Sequence, residues 1–475
     1  MRDKYTSMKN VKANINFDKI IGKIDFKSRH SFGIGGVNPA PMPEEVVKGI
    51  AKLKPNLIRI FIQEFFFIEK DDGTLDFSAL DKYMRSVNAT GADIMASICI
   101  KPKSVYPVVD ENIWKPNDIK RWQYIIGEMA KRYSVENKYV TYWGVANEIN
   151  IGEWGGCPYK ISSAQDYFEY YKMTVEPIIK LCPGVKVGGP SYAGLDDKIY
   201  GWFDEFIGLC KKEKIRLDFI SYNNYSDTPE YHVNPVIKLK ETVDKYDNKI
   251  EMYMTELNVD LGGISLEERA YTPERSAGLA AILYDFYKRA KFANTFQYHI
   301  YDQFCDPNDF KPFYARHRYM ANHWNDEPHR LGLFDGNGKP RPQYFVYQML
   351  YSMAKNEVSA NVGDGAIAEQ SSAHVPSKND IRMLASCDNR YNTIFLTNYN
   401  SKSADDLTVT FKFKNAREGL TKMNVYRIDE DMMWDDDILE LIPTEDRVVY
   451  LHEDFHFSVY APANSVVMVT FDYDL

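Results

Sequence analysis

The run Tyr139-Val-Thr-Tyr-Trp-Gly-Val-Ala146 is almost continuously apolar, and Asn147 and Glu148 follow it directly. A short apolar run of this kind is typical of a strand that is buried on both faces, as in a parallel sheet. Seven further runs share this character, and they begin at Phe32, Leu57, Ala92, Val185, Leu217, Ile250 and Thr295. The chain therefore predicts eight buried strands between residues 30 and 355, with the quoted run as the fourth.

The segments between these runs have the periodicity of amphipathic helices. In residues 272–290, Thr272 is a candidate N-cap and Pro273 occupies the first helical position. Apolar residues then recur at i, i+3, i+4 and i+7, namely Leu279, Ile282, Leu283 and Phe286. Residues 77–86, and the segment that opens at Ser163, follow the same pattern.

Eight strand–helix units favour an α/β fold with a (β/α)8 TIM barrel over residues 30–355. The alternative, an open dinucleotide-binding sheet, is disfavoured because Gly33-Ile-Gly35-Gly36 lacks the GxGxxG spacing. After residue 356 the runs become short and alternate with a period of two, as in Leu407, Val409, Phe411 and Phe413. We therefore expect an antiparallel β-sandwich over residues 356–475. Residues 1–29 form an N-terminal segment whose alternation predicts an additional strand for the sandwich.

Composition narrows the possible partners. The net charge of −9 argues against a nucleic-acid partner, which would normally need a basic face. No run approaches the roughly 18 apolar residues that a membrane span needs, so no membrane partner is expected. The first residues are polar and precede no apolar signal core, which predicts a cytoplasmic protein, or a secreted or periplasmic one if a signal peptide has been removed. The oligomeric state stays open.

Glu148 and Glu256 each end an apolar run, the fourth and the seventh. The carboxyl ends of barrel strands meet at one face, so we expect both carboxylates in one pocket. Such a pair can cleave a glycosidic bond, because one acid protonates the leaving oxygen while the other works at the anomeric carbon. Asn147 can hydrogen-bond a sugar hydroxyl beside the reacting carbon. Solvated loop acids are the alternative for either glutamate taken alone.

These motifs resemble the retaining glycoside hydrolases of clan A, and in detail family 39, the family of β-xylosidases and α-L-iduronidases. Members carry Asn-Glu at the end of the fourth strand and Glu at the end of the seventh, which Asn147-Glu148 and Thr255-Glu256 match. Weaker matching pieces are spread over most of residues 30–355, namely Asp76-Phe-Ser-Ala-Leu-Asp81, Val187-Gly-Gly-Pro190, Leu217-Asp-Phe-Ile-Ser221, Gly332-Leu-Phe-Asp335 and Pro340-Arg-Pro342.

The resemblance implies that Glu148 is the general acid/base and Glu256 the nucleophile of a double displacement. Arg59, in the second strand, matches the clan's arginine that holds the nucleophile charged, with a structural salt bridge as the alternative. Tyr225 is expected to hydrogen-bond Glu256 or the sugar. The residues expected in substrate binding are Arg59, Asn147, Asn223, Tyr225, His299 and Trp324. No metal and no organic cofactor is expected.

Three departures from the family pattern leave the sugar open. Asn223 occupies a position where members commonly carry His, and Ile149 replaces the usual Pro after the acid/base. The eighth strand, Phe296-Gln-Tyr-His-Ile-Tyr-Asp302, lacks the Trp that is expected in the xylosidases. A β-xylosidase-like retaining glycosidase is nevertheless the first interpretation. The alternatives are an arabinosidase, an iduronidase, an endo-acting polysaccharide hydrolase, or a catalytically silent carbohydrate-binding protein.

Residues 301–340 separate the eighth strand from its helix, and loops of that length are usually functional or disordered. A lid or subsite wall is one interpretation, with Trp324 stacking on sugar and Arg316 or Arg318 available to an acidic sugar. A solvated loop without function is the other. The histidines of this segment are poorly spaced for a metal site.

Overall fold

The structure is a computed structural model that describes residues 9–260, 272–326, 329–363, 381–431 and 439–474. After the first strand, β1 (Lys9–Lys23), eight parallel strands close into a barrel. They are β2 (His30–Gly33), β3 (Leu57–Gln63), β4 (Asp93–Cys99), β5 (Val140–Val145), β6 (Lys186–Ala193), β7 (Phe219–Tyr225), β8 (Glu251–Asn258) and β9 (Ala293–Tyr298). Each falls on one of the eight predicted runs, so the predicted barrel is confirmed.

Helices connect the barrel strands and surround them. They are α1 (Glu44–Leu53), α2 (Ser78–Asn88), α3 (Ile119–Ala130), α4 (Ala164–Leu181), α5 (Lys198–Glu213), α6 (Glu230–Asp244), α7 (Pro273–Arg289), α8 (Pro307–Phe310), α9 (His317–Ala321) and α10 (Pro342–Ser352). The predicted starts are observed, since Ser163 caps α4 by accepting the Asp166 N–H, and Pro273 opens α7. None of the described helices is both long and apolar enough to pass through a bilayer.

Shorter helical turns lie between these elements, at Glu64–Phe66, Lys131–Glu136, Gly152–Gly155 and Asn322–Asp326. The interior of the barrel is filled at the amino-terminal ends of its strands by an apolar layer of Leu57, Met95, Phe219, Tyr253 and Phe296. At the carboxyl ends, buried polar residues replace apolar ones, with Arg59, Asn147 and Glu256 among them. This division leaves the carboxyl-terminal mouth as the end of the barrel that can hold a site.

The second unit is one nine-stranded sheet with its own apolar core. Its strands besides β1 are β10 (Asn356–Val362), β11 (Ile381–Cys387), β12 (Tyr391–Asn398), β13 (Leu407–Lys414), β14 (Gly419–Ile428), β15 (Glu445–Leu451), β16 (His456–Ala461) and β17 (Ser465–Asp472). Their order is β15-β14-β17-β12-β11-β10-β1-β13-β16. Neighbours run antiparallel except β1 and β13, which are parallel from Lys9 beside Leu407 onward, so the sheet is mixed.

A buried ion pair joins the sheet to the barrel. Arg382 on β11 is 2% exposed, and its guanidinium donates to both carboxylate oxygens of Asp285 on α7, at 2.9 and 3.1 Å. Glu230 on α6 accepts a further hydrogen bond from it, at 3.3 Å. A bidentate arginine–carboxylate pair fixes geometry as well as charge, so it sets the position of the sheet on these two helices.

Gly188, on β6, gives a test of how closely the barrel strands pack. A Cβ at this position would lie 2.1 Å from the Phe219 carbonyl oxygen on β7, whereas a Cβ at Gly201, within α5, would meet nothing within 4 Å. We expect Gly188→Ala to cost about 1–3 kcal/mol through overpacking, and Gly201→Ala to add about 0.5–1 kcal/mol through helix propensity. Thermal unfolding followed by circular dichroism should show opposite changes in Tm. An unchanged Tm for Gly188→Ala would contradict the tight contact between these strands.

Candidate active site

A cavity of about 220 Å³ opens at the carboxyl ends of the barrel strands. Glu148 and Glu256 both line it, as the positions of the two glutamates at strand ends predicted. The remaining lining residues are Gly36, Val37, Phe61, Gln63, Asn147, Ile151, Trp154, Gly155, Gly156, Ala193, Gly194, Tyr225, Tyr298, Met320, His323, Trp324 and His329. Of the six residues predicted to bind substrate, three line this cavity, namely Asn147, Tyr225 and Trp324. Asn223 lines an adjoining depression, and Arg59 and His299 line neither.

Backbone geometry after β5 directs the Asn-Glu pair into the cavity. Ala146 and Glu148 have φ angles of 64° and 44°, in the left-handed region that residues with a Cβ rarely adopt. The Glu148 N–H donates to the Ser191 carbonyl at 3.0 Å, and Ser191 itself has a φ of 56°. Strained residues of this kind cluster at functional sites, where the surrounding structure holds them in place. The strain here lies at the strand ends that carry the candidate acid.

Arg59 lies beneath the cavity and is completely buried. Arginine has five N–H donors, and each has an acceptor here. The acceptors are Ser97 Oγ at 3.1 Å, Thr255 O at 3.3 Å, Glu256 Oε1 at 2.8 Å, Asn147 Oδ1 at 2.6 Å and Ser191 Oγ at 3.2 Å. One face of the guanidinium stacks on the Phe61 ring, 4.2 Å from its centroid. Arg59 does not line the cavity, so it meets Glu256 and Asn147 from behind rather than a substrate.

Glu256 is 5% exposed and receives one hydrogen bond on each carboxylate oxygen. Arg59 donates to Oε1, and the Tyr225 hydroxyl donates to Oε2 at 2.6 Å. Burial, and next the negative charge of Glu256, raise the pKa of Tyr225 well above its usual value, so the phenol keeps the proton that it donates. Charge-assisted hydrogen bonds are short and directional, and these two hold the carboxylate in one orientation.

Glu148 has a different environment from Glu256. Its Oε1 accepts a hydrogen bond from the neutral amide of Asn223 at 2.8 Å. Burial, and next the negative charge of Glu256, raise its pKa well above that of an ordinary glutamate, although Asn223 and Arg59 oppose the change. A carboxyl group whose surroundings keep its proton is what acid catalysis near neutral pH requires.

Asn223 was predicted to contact the sugar, and the structure places its side chain against the candidate acid. Its Oδ1 accepts a hydrogen bond from Thr255 Oγ1 at 2.8 Å, which leaves the NH2 group to face Glu148. This contact was not predicted, because the sequence gives no sign that Glu148 has a left-handed backbone. Asn223 also lines the adjoining depression, which shares Glu148 and Tyr225 with the cavity.

His299 was predicted to bind substrate, and here the structure gives a different position. Its side chain is fully buried and does not line the cavity, whereas the preceding residue, Tyr298, does. The Nδ1–H donates to the Tyr301 carbonyl at 2.6 Å, and Trp324 packs on the ring at a centroid distance of 5.5 Å. Burial lowers the pKa of His299 to about 4, so the imidazole is neutral. It supports Trp324 from below.

Residues 301–340 form one wall of the cavity through Met320, His323, Trp324 and His329, while residues 327 and 328 lie outside the described chain. The suggested role of Arg316 toward an acidic sugar is corrected. Its guanidinium pairs with Glu111 at 2.6 Å and lies 3.8 Å from Glu153, so two carboxylates already engage it. Arg318 is exposed and does not line the cavity. Among the side chains that the structure describes, no group of three or more possible ligands could hold a metal ion.

The wall is fastened to the segment after Glu148 by a glutamate that the sequence did not single out. Glu153 has no exposure to solvent, and its carboxylate accepts the backbone N–H groups of Ala315 and Arg316, each at 2.8 Å. The Glu153 N–H in turn donates to Glu111 at 2.8 Å. The sequence does carry one sign of close packing in this segment, the glycine pair in Trp154-Gly155-Gly156. A Cβ at Gly155 would lie 2.3 Å from Glu148 Oε2. Only glycine permits this approach.

Comparisons with known proteins agree with this architecture. The model of glycosyl hydrolases family 39 matches residues 69–434. A β-xylosidase from Caldicellulosiruptor saccharolyticus is 25% identical over 237 residues, which are 45% of this chain and 46% of the relative. The chain therefore matches somewhat less than half the length of that curated relative.

Two solved structures share the fold over nearly the whole chain. A monomeric β-xylosidase from Caulobacter crescentus CB15 has a TM-score of 0.74 at 15% identity, covering 98% of this chain and 100% of the other. The GH39 enzyme from Xanthomonas axonopodis pv. citri has a TM-score of 0.72 at 16% identity, with 99% of each chain covered. The structures confirm a TIM barrel followed by a β-sandwich domain, and the family match over most of the sequence shows that the chain belongs to glycosyl hydrolase family 39.

Proposed function

We propose that the protein is a retaining glycoside hydrolase in which Glu256 is the nucleophile and Glu148 is the general acid/base. One observation carries this proposal. Two buried carboxyl groups line the same cavity, and a cation and a phenol bind one of them while a neutral amide binds the other. A catalytically silent binding protein would have no need of the fully hydrogen-bonded Arg59 behind Glu256.

In the first step, a carboxylate oxygen of Glu256 attacks the anomeric carbon and forms a glycosyl ester. The bond from that carbon to the leaving oxygen breaks, and the leaving oxygen takes the proton of Glu148. The raised pKa of Glu148 keeps this proton in place near neutrality. Arg59 and Tyr225 hold the nucleophile so that no large reorientation precedes attack.

In the second step, Glu148 works as a base. The negative charge of Glu256 is one cause of the raised pKa of Glu148, and the glycosyl ester removes that charge. The pKa of Glu148 therefore falls once the ester has formed, which suits it to take a proton from water. The water oxygen attacks the anomeric carbon, the ester bond breaks, and Glu256 returns to a carboxylate with net retention at the sugar.

The cavity supports a neutral sugar as substrate. Among its described lining residues there is no Lys or Arg, whereas Glu256 lies there as a carboxylate, so an acidic sugar would meet like charge that no lining Lys or Arg offsets. Because Arg316 is bound by Glu111 and Glu153, it supplies no such cation. We propose a xyloside first, in line with the similarity to the β-xylosidase from Caldicellulosiruptor saccharolyticus, and an arabinoside as the second neutral candidate.

An activity panel tests the proposal. 4-Nitrophenyl glycosides of xylose, arabinose, glucose and iduronic acid should include a neutral sugar that is turned over, with Glu256→Ala reducing kcat by about 10⁴-fold or more. Azide should restore activity to Glu256→Ala and give a product of inverted configuration, because azide takes the place of the missing carboxylate and attacks the anomeric carbon in a single displacement, opposite the leaving group. Absence of turnover on every substrate would refute the enzymatic proposal. A Glu256→Ala variant as active as the wild type would refute the assigned nucleophile alone.

The pH profile tests the assignment of Glu148. The proposed acid is active when protonated and its pKa is raised, so kcat/KM should fall as pH rises through that pKa. Glu148→Gln should remove this basic limb and slow alkyl glycosides more than 2,4-dinitrophenyl glycosides, whose leaving group needs no proton.

The matched control is Glu251→Gln. Glu251 lies on the same strand as Glu256 but at its other end, where it pairs with Lys186. The control should keep the basic limb. If the limb persists in Glu148→Gln, then another group supplies the proton.

A further inference from the structure

A large aromatic side chain stands half-exposed at the mouth of the cavity. Trp154 lines the cavity, yet 50% of the residue is open to solvent. Tryptophan is highly buried on average, so an exposed indole beside a polar cavity needs a reason other than core packing. Three other aromatic residues that line the cavity, Phe61, Tyr298 and Trp324, are buried.

Two side chains of the protein, Tyr319 and Arg316, hold the Trp154 indole in place. The Tyr319 ring meets it edge-on at a centroid distance of 4.2 Å and an angle of 68°. The Arg316 guanidinium lies 5.3 Å from the centre of the indole, and the 2.6 Å ion pair with Glu111 fixes that guanidinium. An exposed ring that is already ordered costs a ligand little conformational entropy on binding.

The position of Trp154 relative to Glu148 indicates which part of a substrate it would meet. The helical turn Gly152–Gly155 begins four residues after Glu148, whose carbonyl accepts the N–H groups of Ile151 and Gly152, each at 3.0 Å. The turn passes so close to the carboxyl group that no side chain fits at Gly155. Trp154 therefore adjoins the proposed proton donor at the solvent side, while Trp324 lies in the enclosed part.

We propose that Trp154 is the stacking platform for the ring of the leaving group, so that the preferred substrates carry a cyclic aglycone such as a second sugar unit. This inference rests on the proposed function, because it takes Glu148 as the acid that protonates the oxygen between the two rings. A cavity of about 220 Å³ has room for the sugar that is transferred, and Trp154 at its mouth is placed to meet the next ring, beside Glu148. The indole offers that ring a flat apolar face.

The kinetic test compares two substrates that differ in the leaving group, xylobiose and methyl β-D-xyloside. Trp154→Ala should lower kcat/KM for xylobiose relative to the methyl glycoside by about tenfold, as expected for the loss of roughly 50 Å² of apolar contact. Trp154→Phe, which keeps a flat ring, should stay within about threefold of the wild-type ratio. Tyr450→Ala, an exposed aromatic substitution on β15, is the control and should leave the ratio unchanged.

A binding test separates this inference from the proposed function. In the Glu256→Ala background, calorimetry should show that Trp154→Ala weakens xylobiose binding by about tenfold and leaves xylose binding within about twofold. Such a result with a wild-type enzyme that turns over no glycoside of the activity panel would refute the proposed function and keep the platform. Three outcomes would overturn the platform. In the kinetic test, the contradicting outcome is an unchanged ratio of kcat/KM values in Trp154→Ala. In the binding test, it is an equal loss of affinity for xylobiose and xylose, or xylobiose that binds no better than xylose.

Discussion

Arg59 lies in the barrel without exposure to solvent, and all five of its N–H groups are within hydrogen-bond distance of acceptors on other strands or at their ends. A buried cation is tolerated only when it is paired and fully hydrogen-bonded. Ser97, Asn147, Ser191 and Glu256 are therefore fixed relative to one another by a single group. No other side chain offers five donors in a rigid plane, so lysine could not replace it.

The site is buried, so the hydrogen-bond partner of each glutamate strongly affects its charge. The two glutamates have different partners. Glu256 is paired with the Arg59 guanidinium, whereas Glu148 accepts its side-chain hydrogen bond from the uncharged amide of Asn223. Family 39 members commonly carry histidine at the position of Asn223. Asn223 can stabilise the ionised form of Glu148 only as a neutral donor. Burial and the charge of Glu256 then dominate, and they keep the proton on Glu148. The departure at this position thus bears on the acid as well as on the sugar.

Much of the fold was readable from the sequence because strands buried on both faces leave continuous apolar runs, as at Leu57–Gln63 and Val140–Val145. The two glutamates were readable because the carboxyl ends of barrel strands share one face. Three strands of the sheet, β10, β11 and β16, were not singled out. Polar residues interrupt the apolar residues of these strands, which therefore do not form one distinct run.

The contacts of individual side chains were not readable, because they depend on backbone details and distant partners. His299 and Tyr298 are adjacent, and only the chain path after β9 decides which of them faces the cavity. Arg316 has two partners, Glu111 and Glu153, which lie 205 and 163 positions away from it along the chain. A sequence shows that such a charge exists, whereas the fold determines what neutralises it.

Burial and the charge of Glu256 together keep the proton on Glu148, and the chemistry proposed for the site depends on that proton. Carbon-13 NMR of glutamate side-chain carboxyl groups, with Glu148→Gln for assignment, measures that titration directly in the wild type and in Glu256→Gln. We expect Glu148 to titrate well above an ordinary glutamate. Glu256→Gln should lower the pKa of Glu148, because the substitution removes the repelling charge of Glu256 while the Arg59 cation stays. If Glu148 titrates like a solvent-exposed glutamate, or if its pKa does not change in Glu256→Gln, then burial and the charge of Glu256 do not hold its proton.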